Sequence, residues 1–204
     1  MYLPEPFRID DREALLAHAA ANAFATLITH QRDGMQVSHV PLLLDPVRDV
    51  VCGHLARNNP QVAHLAAGAE ALAIFHGPHA YVSPSVYEQH PAVPTWNYVV
   101  VHARGRGRLV EEDRLRRILD EMVARFDDTG WKLDGPEEFV RKQLAAIAGF
   151  EIGIEALEGK WKLSQNRPLA DQARVAEWLE RGGEQSRAVA ALMRDRLRRG
   201  PAAP

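Results

Sequence analysis

Cysteine occurs once, at Cys52, which excludes an internal disulfide framework and a multi-cysteine zinc site and fits a reducing compartment. An excess of one charge is also missing. Lys and Arg number 25 against 27 Asp and Glu, giving a formal net charge of -2 and a pI near 6.5. That balance argues against a wholly basic nucleic-acid or membrane binder and leaves room for local patches. No long apolar run is present: the longest, Ala19 to Thr29, is broken by Asn22 and is too short to span a bilayer. The opening MYLPEPFRIDD carries prolines and acids where a signal peptide needs a basic and then an apolar run. No Asn-X-Ser/Thr sequon occurs. A soluble cytoplasmic protein is the expectation. The fingerprints GxxxxGK[ST], HExxH, GxSxG and GxGxxG are absent too, and Gly105 and Gly107 give only GRG inside a strand. Glycine there marks a bulge or a close backbone approach.

What is present in the 204 residues is enough for one large domain or one and a half. A first helix is expected from Asp11 to about Ala21, capped by Asp10 with Glu13 completing a capping box. FATLITH (24–30) and QVSHVPLLL (36–44) flank QRDGM, an acid-Gly hairpin signal. DVVCGHL (49–55) adds a strand, and Asn58, Asn59 and Pro60 open a short helix through Ala67. ALAIFHG (71–77), AYVSP (80–84) and the long run 93–110 continue the β content. Helices follow over RLRRILDEMVARFDD, with Leu115, Ile118, Leu119, Met122, Val123 and Phe126 on one stripe, and from Pro136, with Val140, Leu144 and Ile147 inward. FEIGIEAL (150–157) returns to strand, and two helices close the chain at about 168–181 and 184–198, before a GPAAP tail expected to fray. Alternating βαβ units are missing, which disfavours a Rossmann fold, and antiparallel hairpins in this number favour a barrel.

Several segments carry chemistry, each with a plainer reading beside it. Nine histidines invite metal or haem, but a catalytic metal site needs three convergent ligands, and no metal is expected. In GHLARNNPQ (53–61), Arg57 stands beside a helix start at Asn58. It is either a clamp for phosphate or a solvated side chain next to a capped helix. GPHAYVSPSVY (77–87) and VPTWNYVVVH (93–102) set hydroxyls and amides beside rings, the mix a flat heteroaromatic ligand needs. Alternatively, Tyr81 and Trp96 are core rings with satisfied polar tips. In GKWKLSQNR (159–167), Lys160 and Lys162 share a face if the strand continues, and Trp161 takes the other. That face meets a phosphate or flavin edge, or the segment is a solvated strand end.

Taken in order, FATLITHQRDGMQVSHVPLLLD, GHLARNNPQ, FHGPHAYVSPSVY, VPTWNYVVVHARG and GKWKLSQNR resemble the motif blocks of the PaiB family of FMN-binding negative transcriptional regulators. That family is related to the pyridoxamine-phosphate-oxidase-like split β-barrel flavoproteins. The resemblance runs from about residue 24 to 167. It implies an α+β chain: a six-stranded, antiparallel, Greek-key split barrel binding FMN over residues 1–167, with a C-terminal helical extension over 168–204 packed on it. It further implies a homodimer with FMN between subunits. The phosphate position falls on Arg57, with Asn58 beside it, and the strand lining the ring on Ser38, His39 and Val40. Later blocks add Ser83, Trp96, Asn97, Lys162, Ser164, Gln165 and Asn166. One position departs: Val86 in SPSVY stands where the family pattern has an aromatic, which removes a candidate stacking ring.

Three functions follow for comparison. The first, implied by the resemblance, is an FMN-binding negative transcriptional regulator. RAVAALMRDRLRRG (187–200) is its most basic segment, either a contact to DNA phosphates or the solvated face of an amphipathic helix. The second is an FMN-dependent oxidoreductase or flavin reductase, in which the cofactor supplies the chemistry and no strong side-chain acid is required. The third is haem binding or degradation through a histidine such as His39 or His79.

Overall fold

A computed structural model describes residues 1–132 and 135–200; the expected fraying of the tail concerns residues 201–204, outside the described ones. In chain order the first half holds β1 (Arg8–Ile9), α1 (Arg12–Ala21), β2 (Phe24–Gln31), β3 (Gly34–Pro41), β4 (Leu43–Asp45), β5 (Val50–Ala56), α2 (Gln61–Ala66) and β6 (Glu70–Val82). The second half holds β7 (Thr95–Leu109), α3 (Glu112–Phe126), α4 (Glu137–Ala145), β8 (Ile147–Lys162), α5 (Leu169–Glu180) and α6 (Glu184–Arg199). None of the described helices is long and apolar enough to cross a membrane.

The chain divides into two compact units. Among the described residues, one gathers Met1–Leu15, His76–Val101 and those from Glu158 to Gly200; the other gathers Leu16–Phe75 and His102–Leu157. In the second unit the strand order is β3-β2-β6-β7-β8-β5-β4. β2 and β3 pair antiparallel from Phe24↔Pro41 to Gln31↔Gly34, so Arg32 and Asp33 form the two-residue turn and Gly34 opens β3. Gly34 sits at φ 114°, where a Cβ would be strained. Proline has no N–H to continue a ladder, and the expected single run 36–44 breaks at Pro41 into β3 and β4. A Cβ on Gly105 would lie 1.7 Å from the Gly153 carbonyl oxygen, so GRG marks a close backbone approach. Within this unit Leu43, Cys52, Ile118 and Met122 form one apolar cluster.

The first unit is built differently. β1 pairs antiparallel with the end of β8, Arg8 opposite Lys160. α5 and α6 bury Val175, Leu179, Val189 and Met193 against Val82, Tyr87, Val99 and Leu163. Pro78 lies inside β6, past the stretch Glu70–Ile74 that pairs with β2. Its missing N–H therefore costs no bond to β2, and the two expected segments merge into one strand.

Three local expectations need correction. α1 is capped by Asp11, whose Oδ1 accepts from the backbone N–H groups of Glu13 (3.0 Å) and Ala14 (3.3 Å), not by Asp10. α4 stops at Ala145, so Ile147 opens β8 instead of facing inward from a helix; of its expected stripe only Leu144 is fully buried. β8 extends to Lys162, absorbing the first residues of GKWKLSQNR.

Candidate functional site

In the second unit, β3 carries Ser38, His39 and Val40. Ser38 Oγ accepts from Asn59 Nδ2 at 3.0 Å. His39 is exposed, with Nδ1 3.1 Å from Thr26 Oγ1, its cross-strand partner. Val40 is half-buried. The segment after β5 behaves differently from its sequence reading. α2 has six residues with Pro60 at its N-cap, and just ahead of it Asn59 Oδ1 accepts from Gln61 N at 2.9 Å. A helix this short has little dipole to offer an anion, so the anion reading rests on Arg57 itself. Arg57 Nε donates to Ala145 O at 2.6 Å and Nη2 to Ile147 O at 2.5 Å. The guanidinium thus closes the C-terminal end of α4 and is held in one orientation. Among the described residues no carboxylate pairs with it, and the side chain stays exposed, as does Asn58.

Two polar networks in this unit escaped sequence reasoning. Thr29 Oγ1 lies 3.0 Å from His64 Nδ1, and His64 Nε2 lies 2.9 Å from Asp33 Oδ1. Buried Gln61 places Nε2 within hydrogen-bond distance of three acceptors, Gln36 O at 3.0 Å, Leu27 O at 3.2 Å and Thr29 Oγ1 at 3.3 Å, which share its two N–H donors. The hydrogen bond from His64 holds the Asp33 carboxyl below the usual range. The set has the order of a nucleophilic triad, yet Thr29 has no accessible surface. No substrate reaches it, and its role is to pin the hairpin turn to α2. The second network surrounds Glu151, completely buried among Arg48, Arg108 and Arg114. Cys52, also buried, has its thiol pushed up to about 12, chiefly by desolvation, which leaves it protonated and inert at neutral pH.

In the first unit, Trp96 is 52% and Tyr81 44% exposed. Their rings meet edge-on at 5.9 Å, and His79 lies 6.1 Å from Trp96. These rings face out instead of filling a core. Lys162 donates to Thr95 Oγ1 and to Trp96 O, the latter at 2.6 Å. Burial, then the charges of Lys160 and Arg167, lowers its pKa. Lys160 sits between the Tyr2 and Tyr98 rings, 5.4 and 5.5 Å from their centroids. Ser83 caps the turn at Pro84–Val86, accepting from Ser85 N at 3.3 Å.

The end of GKWKLSQNR is largely architectural. Asn97, fully buried, donates through Nδ2 to Ser164 Oγ at 2.9 Å, and Ser164 donates back to its Oδ1 at 3.2 Å. Ser164 holds the left-handed φ of 66°, which that reciprocal pair fixes. Gln165 accepts from Leu163 N at 2.6 Å and donates to Trp161 O; Asn166 is exposed. Asn97→Ala would strand the Ser164 hydroxyl in a buried site, and a loss of about 1–3 kcal/mol is expected in a urea melt. The structure therefore groups Asn97, Lys162, Ser164 and Gln165 with Trp96 and Ser83 in one unit. It groups Ser38, His39, Val40, Arg57 and Asn58 in the other.

Comparison with known proteins shows the family and the fold. A sequence model described as "Putative FMN-binding domain" covers residues 1–156. The Bacillus subtilis "Protease synthase and sporulation protein PAI 2" is 32% identical over 98% of this chain and 99% of its own length. The chain belongs to the PaiB family. Among solved structures, an FAD and haem binding protein from Mycobacterium smegmatis superposes with a TM-score of 0.62 at 18% identity, covering 76% of this chain and 73% of that one. The flavocytochrome Anf3 from Azotobacter vinelandii gives 0.62 at 16% identity, over 76% and 69%. At such identities the likeness establishes the fold, an α+β split barrel, and the expected antiparallel architecture is the one observed, in a sheet of eight strands where the resemblance implied six.

Proposed function

We propose that this PaiB-family chain binds FMN, works in the cytoplasm as a homodimer, and acts as a negative regulator of gene expression biased by flavin occupancy or redox state. The observation that carries the reading is the end-to-end match to a relative named for protease synthase and sporulation.

The residues present fit the cofactor. FMN needs a cation for its phosphate, and Arg57 is exposed, oriented by two carbonyls and unpaired with acid. The β3 residues Ser38, His39 and Val40 belong to the same unit and offer polar and aliphatic edges for a ring. When bound, the flavin would supply electron or hydride chemistry, while the chain binds and orients it. Dimerisation is supported by the outer face of β2 and β3, where Phe24, Met35 and Val37 are 71%, 70% and 56% exposed. The register of the hairpin puts these three side chains on one face, and a contiguous exposed apolar face is a feature typical of association surfaces. α6 gives DNA little to grip. Arg194 pairs with Glu180 at 2.5 Å and Arg199 with Asp195 at 2.8 Å, while Arg196 donates to Gln172 at 3.0 Å.

The deciding experiment takes purified chain through absorption spectroscopy with mass analysis of released chromophore, light scattering, and a promoter-DNA shift at two salt concentrations. Flavin bands, a mass twice 22.8 kDa that Val37→Lys reduces, and a flavin-dependent shift are expected. Steady NAD(P)H oxidation without a DNA shift would move the chain to the oxidoreductases, and a Soret band to the haem binders. Lys162→Met is expected to lower the reduction potential of bound flavin, because a nearby cation favours the reduced anion; spectroelectrochemistry reads it.

A further inference from the structure

α3 offers a wider apolar stripe than its core uses. Leu115, Ile118 and Met122 are buried, but the adjacent row of Leu119, Val123 and Phe126 is not. That row forms one wall of a cavity of about 610 Å³, entirely within the second unit, completed by His54, Trp131, Phe139 and Ile147. Three large rings around it, Phe126, Trp131 and Phe139, are 52%, 53% and 50% exposed. Half-exposed aromatic rings converging on one hollow of drug-like size are a ligand-site pattern.

We propose that this cavity is a second binding site, for a flat aromatic organic cation. Size and apolar walls select a planar hydrophobic molecule, and the charges select its sign. Among the described residues, Asp120 and Asp127 are the only charged groups on the wall, and no Lys or Arg lines it. Two cations stand just outside it: Lys132 lines the adjoining hollow with the same two aspartates and Trp131, and the Arg125 guanidinium lies 5.9 Å from the Phe126 centroid, so the wall itself stays acidic and Trp131 and Phe139 are the rings it offers. Asp127 is fixed as an anion by hydrogen bonds from Thr129 Oγ1 at 2.7 Å and Thr129 N at 2.8 Å. His54, the remaining polar wall residue with Gln143, has a buried Nδ1 with no protein partner. Burial lowers its pKa, so it adds no repelling charge. Exposed ring faces beside carboxylates are the chemistry that recognises a delocalised cation.

The test is isothermal titration of the full chain with thioflavin T, a planar benzothiazolium cation, and with anilinonaphthalene sulfonate, an apolar anion of similar size. Both are run with and without saturating FMN. Thioflavin T is expected to bind about 10-fold more tightly than the anion, unaffected by FMN. Trp131→Ala and Phe139→Ala, both at half-exposed positions, should weaken it by about 10-fold. Asp120→Asn should weaken it by about 3-fold while leaving the anion unchanged or improved. Circular dichroism confirms that each variant is folded. Equal binding of both dyes, displacement of thioflavin T by FMN, or binding that the three substitutions leave untouched overturns the proposal. So does absence of dye binding accompanied by a change of assembly mass in Trp131→Ala, which would assign the cavity to a second copy.

Discussion

Replacing Glu151 with alanine is expected to lower the unfolding free energy by about 3–5 kcal/mol, the range for breaking a buried ionic pair by removing one partner. The carboxylate has no accessible surface and accepts from Arg108 Nη2 at 2.6 Å, Arg114 Nε at 2.7 Å and Arg48 Nη2 at 3.2 Å. Arg48 and Arg108 can turn toward water when it is gone, since their side chains are 42% and 63% exposed. Arg114 cannot do so as easily: its side chain is 12% exposed, and only Asp45 at 3.6 Å and Glu121 at 3.1 Å remain beside it. The cost is therefore concentrated in one guanidinium left poorly paired. Against a total stability of about 5–15 kcal/mol, that is a large fraction, worth about 10 °C in melting temperature for a chain of this size.

The same cluster sets an acid dependence. Burial by itself would raise the Glu151 pKa, but the hydrogen bonds from Arg114, Arg48 and Arg108 outweigh it and hold the group below the ordinary range. A carboxyl depressed in the folded state contributes its stability above the unfolded pKa of about 4.3 and loses it as pH falls through the folded value. Wild-type protein should thus weaken on the acid side, and Glu151→Gln should show both lower stability at neutral pH and a flatter acid slope. Urea melts across that range measure both. A loss below about 1 kcal/mol at neutral pH would class the cluster with solvated surface pairs.

Glu151 also marks a limit of sequence reading. FEIGIEAL alternates, so periodicity assigns Glu151 to a wet face opposite Phe150 and Ile152. β8 is instead flanked by β7 and β5 in the strand order, and Arg114 of α3 reaches the face that alternation leaves to solvent. That contact joins residues 37 apart in sequence, a separation no local pattern encodes. The hairpin at Asp33-Gly34 was legible because turn geometry is local, as were the closing helices, whose apolar spacing is regular. GKWKLSQNR was only half legible. Its strand character through Lys162 follows from alternation, whereas the pairing of Ser164 with Asn97 depends on a residue 67 positions away. Motif order revealed the family, but the bonds that orient Arg57 come from carbonyls about 90 residues on, which side-chain identity does not show.

Arg57→Ala is expected to weaken FMN binding by about 10- to 100-fold, the loss of one charge-assisted contact to phosphate, while riboflavin affinity changes by less than about 3-fold. The comparison is needed because Arg57 does two things. Its bonds to Ala145 O and Ile147 O close the end of α4, so alanine there also removes a C-terminal cap, costing about 1 kcal/mol. A loosened α4 would affect both ligands alike, since riboflavin and FMN share the ring and differ in the phosphate. Arg57→Lys separates the contributions further: an ammonium keeps the charge but lacks the planar fork that spans both carbonyls and presents phosphate a two-bond edge. It should recover part of the FMN affinity and little of the stability. Equal loss for FMN and riboflavin in Arg57→Ala, measured by titration below the melting range, would assign Arg57 to holding α4 and require the phosphate to be bound elsewhere.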